Sequence, residues 1–108
     1  MLAVIIEYEL RPGIEAEFQA ALAEMLERVK TVDGFLGEEP CRSIVTESKR
    51  VTISYWRDAE ALKAWQSHPD HVRVKKLGRD KLFSWYRIRV AQIGRDYGME
   101  PRPEAATG

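Results

Sequence analysis

Two histidines, His68 and His71, stand three positions apart on either side of Pro69, and the chain has no others. An imidazole takes up and releases protons near neutral pH, so general-base catalysis with His71 or His68 as the acceptor is the first chemistry to consider. The two rings share a helix side only if the helix begins before the proline. Trp65 lies three positions ahead of His68, and Tyr55 and Tyr86 carry hydroxyls on strand-like segments. These three aromatics are the candidate substrate-binding residues. Each residue also has a plainer use. His68 can cap a helix, His71 can be a half-buried histidine bonded to a carbonyl, Trp65 can be core beside Leu62, and strand tyrosines commonly pack and bond a backbone carbonyl. His68, Asp70 and His71 have metal-ligand chemistry, but no third histidine or clustered carboxylate completes a shell, so no metal is expected. Arg87 and Arg89 share a strand face and suit either an anionic ligand or cross-strand pairing with Glu7 or Glu9.

Hydrophobic periodicity assigns the elements that must position these groups. Residues 2–10 begin apolar and then alternate, as in a strand covered on both faces at its start. After Pro12-Gly13, Ile14, Phe18, Ala21, Leu22, Met25, Leu26 and Val29 recur at steps of three and four, which predicts an amphipathic helix closed by Asp33-Gly34. Residues 35–46 read as an irregular strand, bulged or at an edge, and residues 50–56 as a regular strand paired with it through a turn at 47–49. Asp58 is placed to cap a helix to about Gln66. Pro69 restarts a second short helix, which Gly78 closes, and residues 83–93 form a last strand. The order predicts an α+β, ferredoxin-like split βαβ fold: a four-stranded antiparallel sheet with helices on one face. Ile5, Trp56, Trp85 and Ile93 are expected to make the other face apolar. A homodimer through that sheet face would cover them.

The 108 residues are 44% hydrophobic and 31% charged, with 17 basic side chains against 17 acidic, which fits one small globular domain of thin core. Residues 1–98 are taken as that domain, and 99–108, rich in proline, glycine and small residues, as a disordered tail. Zero net charge argues against general nucleic-acid binding, and Asp80 interrupts the basic run Arg73, Lys75, Lys76, Arg79 and Lys81. No apolar run is long enough to span a membrane, the first ten residues lack the pattern of a secretory signal, and the single cysteine, Cys41, fits a reducing compartment. A cytoplasmic location is expected. The glycines are scattered as turn residues, so no nucleotide cofactor is implied.

Four segments, GFLG (34–37), ISYW (53–56), DAEALKAWQSHPDH (58–71) and LGRDKLFSWYRIRVAQIGRDYG (77–98), resemble the antibiotic biosynthesis monooxygenase domain family. Its most specific parts are Tyr55-Trp56 at the end of the third strand, the spacing of Trp65, His68, Pro69 and His71, and the aromatic-arginine last strand. The resemblance covers about residues 2–98. It implies a dimeric α+β barrel with a pocket between sheet and helices of each subunit. It also implies one of several activities, among them metal- and flavin-free oxygenation of phenols or quinols, quinol oxidation and haem degradation. The chain has no asparagine, whereas the quinone-forming and haem-degrading branches use one on the first strand. Ten positions after Trp65, where haem-degrading members hold iron with a histidine, stands Lys75. Haem degradation is therefore disfavoured.

Dioxygen reacts slowly with closed-shell phenols, and deprotonating the phenol supplies the electron density for one-electron transfer. A cofactor-free oxygenase thus needs a base near the hydroxyl, a donor to hold the resulting anion and a dry aromatic-lined pocket. The expectation is a homodimeric, cofactor-independent monooxygenase or quinol-type oxidase acting on a small electron-rich aromatic. The alternative is a non-catalytic ligand-binding or structural dimer of the same fold.

Overall fold

The computed structural model describes residues 1–99. In chain order it consists of β1 (Leu2–Leu10), α1 (Glu15–Val29), β2 (Phe35–Arg42), β3 (Lys49–Trp56), α2 (Ala59–Gln66), α3 (Pro69–Leu77) and β4 (Phe83–Gln92). The strands form one sheet of order β2-β3-β1-β4, antiparallel throughout. This is the expected α+β, ferredoxin-like arrangement. Residues 100–108, most of the tail expected from the composition, lie outside the described residues.

Strand parity decides what faces the helices. Val4 pairs with Ser54 and Val90, and Ile6 with Thr52 and Ile88, so one face carries Val4, Ile6, Tyr8, Thr52, Ser54, Trp56, Tyr86 and Ile88. The helices pack on that face in two apolar clusters. Val4, Val29, Trp56, Ala61, Leu62 and Trp65 form one, and Tyr8, Phe18 and Leu82 form the other. Trp56 is 2% exposed, and its indole N–H donates to Ser54 Oγ at 3.0 Å while Phe35 meets its ring edge-on. It is therefore core, not part of the outer sheet face where the period-two pattern had been counted. Trp85, opposite Glu9, does lie on that outer face.

Local chemistry explains the remaining boundaries. The Asp58 carboxylate accepts from the Ala61 N–H at 2.9 Å, giving α2 its expected cap. β2 stops at Arg42, four residues short of the expected end, because Ser43 Oγ accepts from the N–H groups of Val45 and Thr46 and folds the chain into a turn. Ile44 and Val45 are left fully in solvent. Gly78 closes α3 as expected, its N–H donating to the Val74 and Lys75 carbonyls. It keeps a right-handed helical conformation and begins a wide π-type turn, Gly78–Leu82, that leads into β4.

Glycine is needed at 78 for space. A Cβ there would lie 2.7 Å from Cε2 of the Phe83 ring. Alanine normally stabilises a helical glycine position by about 1 kcal/mol. At this site Gly78→Ala is expected to have the opposite sign, destabilising by about 1–3 kcal/mol through overpacking, as read from the urea midpoint.

Candidate functional site

Between the two apolar clusters the sheet and helices leave a cavity of about 160 Å³, lined on the sheet side by Val4, Ile6, Tyr8, Ser54, Tyr86 and Ile88 and on the helix side by Phe18, Met25, Leu62, Trp65 and His71. Its walls are predominantly apolar, with few polar groups. Two of those have their hydrogen bonds already: the Tyr8 hydroxyl meets Thr52 Oγ1 at 3.3 Å, and Ser54 accepts from Trp56. Two others do not. Among the described residues, the buried side-chain polar atoms without a partner are Glu38 Oε2 and His71 Nδ1, and both residues line this cavity. An unpaired buried polar atom costs about 1–3 kcal/mol, so two of them in one concave space mark a site with unused binding capacity.

His71 reaches the cavity from the first turn of α3. Its ring packs on Trp65 at 5.1 Å between centroids, and Arg28–Asp70 (3.0 Å) and Arg73–Glu24 (2.7 Å) tie this helix to α1. Burial pushes the His71 pKa below its ordinary value; the nearby Gln66 carbonyl pulls it partly back, and Lys75 and His68 push it further down. The shift favours the uncharged imidazole, whose Nδ1 has no hydrogen-bond partner. His68 is used differently. It precedes the helix and caps it, Nδ1 accepting from the Asp70 N–H at 3.1 Å, and its ring packs on Trp65 at 5.6 Å. Both histidines thus touch Trp65, but His68 stands outside the cavity lining.

Trp65, 5% exposed, and Tyr86 line the cavity together, while Tyr55 does not. Tyr55 pairs with Ala3 and Gly37, one residue out of phase with Ser54 and Trp56, so alternation turns it to the opposite sheet face, where it is 40% exposed. Its expected role as a substrate-binding neighbour of Tyr86 is corrected by that parity. Arg89 meets Glu7 across the same outer face at 3.3 Å, which settles one of the two strand arginines as an ion-pair partner.

Glu38 was not among the expected site residues. It enters the cavity because β2 is bulged: the pairing Phe35↔Trp56 is followed by Gly37↔Tyr55, skipping one residue. Gly37 takes the kink at φ +156°, a conformation side chains rarely adopt. The slip sets Glu38 opposite Ser54 on the helix-facing side and Glu39 opposite Ile53 on the other. Desolvation then raises the Glu38 pKa to about 7.

A sequence model of the antibiotic biosynthesis monooxygenase family matches residues 1–77. The chain belongs to that family. It is 30% identical over 87 residues to the Bacillus subtilis protein YqjZ, covering 77% of this chain and 75% of that one. It is 26% identical over 93 residues to the jasmonate monooxygenase ABM of Pyricularia oryzae, covering 86% of this chain but only 43% of the fungal protein. Among solved structures it is similar to SnoaB of Streptomyces nogalater, described as a cofactor-independent oxygenase, with a TM-score of 0.76 at 16% identity over 94% of this chain and 97% of that one. At that identity the likeness is one of fold. Among the described residues of this family member, no group of three or more histidine, cysteine, aspartate or glutamate side chains could hold a metal ion, and no helix is long and apolar enough to cross a membrane.

The two unpaired groups act on stability in opposite directions. For Glu38 the folded pKa is raised, so its neutral form favours folding: that contribution is complete below the unfolded value of 4.5 and is lost as pH rises through about 7. Glu38→Gln is therefore expected to gain stability relative to the parent between pH 5 and pH 8, by on the order of 1–3 kcal/mol. For His71 the folded pKa is lowered, so its contribution is present above 6.5 and lost as pH falls below that value. His71→Gln should gain on the parent between pH 7 and pH 5. Urea denaturation at three pH values checks both signs.

Proposed function

We propose that this chain is a cofactor-independent monooxygenase that oxidises a small, electron-rich phenol with dioxygen, His71 acting as the base. The observation that carries the reading is the buried, unpartnered His71 Nδ1 in an aromatic-walled cavity. The family and the monooxygenases named among its relatives support it. Size argues for a compact substrate, since a cavity of about 150 Å³ accommodates a molecule such as benzene.

The reaction balances without an added reductant. The phenol O–H breaks and its proton goes to His71, leaving a phenolate whose electron passes to dioxygen. The phenoxyl radical and superoxide combine at the para carbon to form a C–O bond, and the proton returns from His71 to the peroxide. Loss of the ring hydrogen as a proton and cleavage of O–O then give a quinone carbonyl and water, so phenol plus dioxygen becomes quinone plus water. Trp65 and Tyr86 hold the ring and keep water from the radical pair, and the apolar walls strengthen every electrostatic contact inside.

The functional unit of this proposal is a homodimer. The outer sheet face presents Ile5 and Ile53 beside the exposed Tyr55, and among the described residues no helix covers it. A second copy related by a two-fold axis would bury the same patch twice.

With His71→Ala, oxygen uptake on a panel of substituted phenols is expected to fall by about 10²–10⁴-fold, the usual worth of a general base, while Trp65 fluorescence still reports phenol binding. Turnover equal to the parent would overturn the base assignment. Binding without oxygen uptake by the parent on every phenol would favour the non-catalytic alternative. Sedimentation at micromolar concentration is expected to give a two-chain mass, and Tyr55→Asp to shift it to one chain.

A further inference from the structure

We propose that Glu38, as a neutral carboxylic acid, is the hydrogen-bond donor that holds the substrate's anionic oxygen. This rests on the reading of the cavity as a phenol-oxidising site and supplies the component that reading still lacks, a donor for the phenolate. Oxyanion stabilisation is commonly the largest single contribution to such a reaction.

The geometry is specific. Glu38 reaches the helix-facing side only through the bulge at Gly37, and it arrives opposite Ser54, whose oxygen accepts from the Trp56 indole. Its Oε2 has no partner. The titratable groups lining the cavity are Tyr8 from β1, Glu38 from β2, His71 and Lys75 from α3, and Tyr86 from β4; α1, α2 and β3 present uncharged side chains. Tyr8 is bonded to Thr52, and burial pushes its pKa up, away from neutral pH. Arg50, near Tyr8, is paired with Glu15. No cation is paired with Glu38, and its titration is governed by burial alone.

As a carboxylate, Glu38 would set a second negative charge beside the phenolate, a repulsion strong in an apolar space. As the acid it donates. A bound anion also raises the proton affinity of a neighbouring carboxyl, so formation of the phenolate reinforces the donating form. A carboxylic acid kept neutral by an apolar site is an established way to build such a donor. His71, uncharged and unpaired, remains the proton acceptor, which divides the work between two groups of opposite protonation requirement.

Binding of 2,4-dinitrophenolate, which is ionised from about pH 6 to pH 9, tests this without turnover. Each bound anion should keep one proton on Glu38, so above about pH 7 the affinity of the parent protein is expected to fall roughly tenfold per pH unit. Glu38→Gln, which retains a donor but cannot titrate, should vary by less than about twofold, and Glu38→Leu should bind at least about tenfold more weakly than the parent at pH 6. The same slope in the parent and in Glu38→Gln, or no binding to the parent, overturns the assignment. The slope seen without oxygen uptake on any phenol would keep the donor and remove the oxygenase reading, so the two failures are distinguishable.

Discussion

The helix layer of this protein is held off the sheet by large side chains at two places. At one end Trp56 from the sheet and Trp65 from α2 share an apolar cluster with Val29 and Leu62; at the other, Tyr8, Phe18 and Leu82 form a second. Phe83 stacks beside Tyr8 and Phe18 and extends the second support. Bulky rings at two points prevent the layers from closing over the stretch between, because packed side chains resist compression much as an organic crystal does. The cavity is the consequence, and every functional group described depends on it. A chain of this length has little core to spare, and leaving a space inside it costs dispersion contacts along the whole lining.

What could be read from the sequence divides along the same physical line. The period-two segments, the i, i+3, i+4 run of α1 and the Asp58 cap are local signals, and they led to the right elements in the right order. Trp65, His71 and Tyr86, singled out by residue type and element, do line the cavity. Errors came where a single skipped residue sets the phase. Tyr55 and Trp56 are adjacent aromatics on β3, and alternation sends one to solvent and the other to the core; composition does not say which. Without the bulge, Gly37 would have faced Ser54 and Glu38 would have faced Ile53, a solvated charge like its neighbour Glu39. The pair Glu38-Glu39 ahead of Pro40 reads as an ordinary wet edge. The one available cue was the glycine preceding it, since a lone glycine inside a strand often marks a bulge.

The placement of His71 and His68 shows how a cap sorts two similar residues. Pro69 fixes the first helical position, so His68 must lie outside the helix, where its Nδ1 satisfies a free backbone N–H. That use consumes the lone pair a base would need. His71, inside the first turn, does not cap the helix and packs its ring on Trp65 instead. Two chemically identical side chains three residues apart therefore acquire different capacities from helix geometry alone.

Burial acts on the cavity's acid and its base in opposite senses, and that opposition is what makes the pair useful. Desolvation penalises any charge, so it drives Glu38 toward the carboxylic acid and His71 toward the free imidazole. Near neutral pH a substantial share of Glu38 then keeps a proton it can share, while His71 favours the form that can accept one. The same two residues at the surface would exist mainly as carboxylate and partly as imidazolium, an ion pair with its donor and acceptor roles reversed. In the proposed reaction the carboxylic acid and the free imidazole are the protonation states that receive a neutral phenol. On that proposal, once the phenol's proton moves, the imidazolium and the carboxyl group both stabilise the anion left behind, with no charge having been imported from solvent.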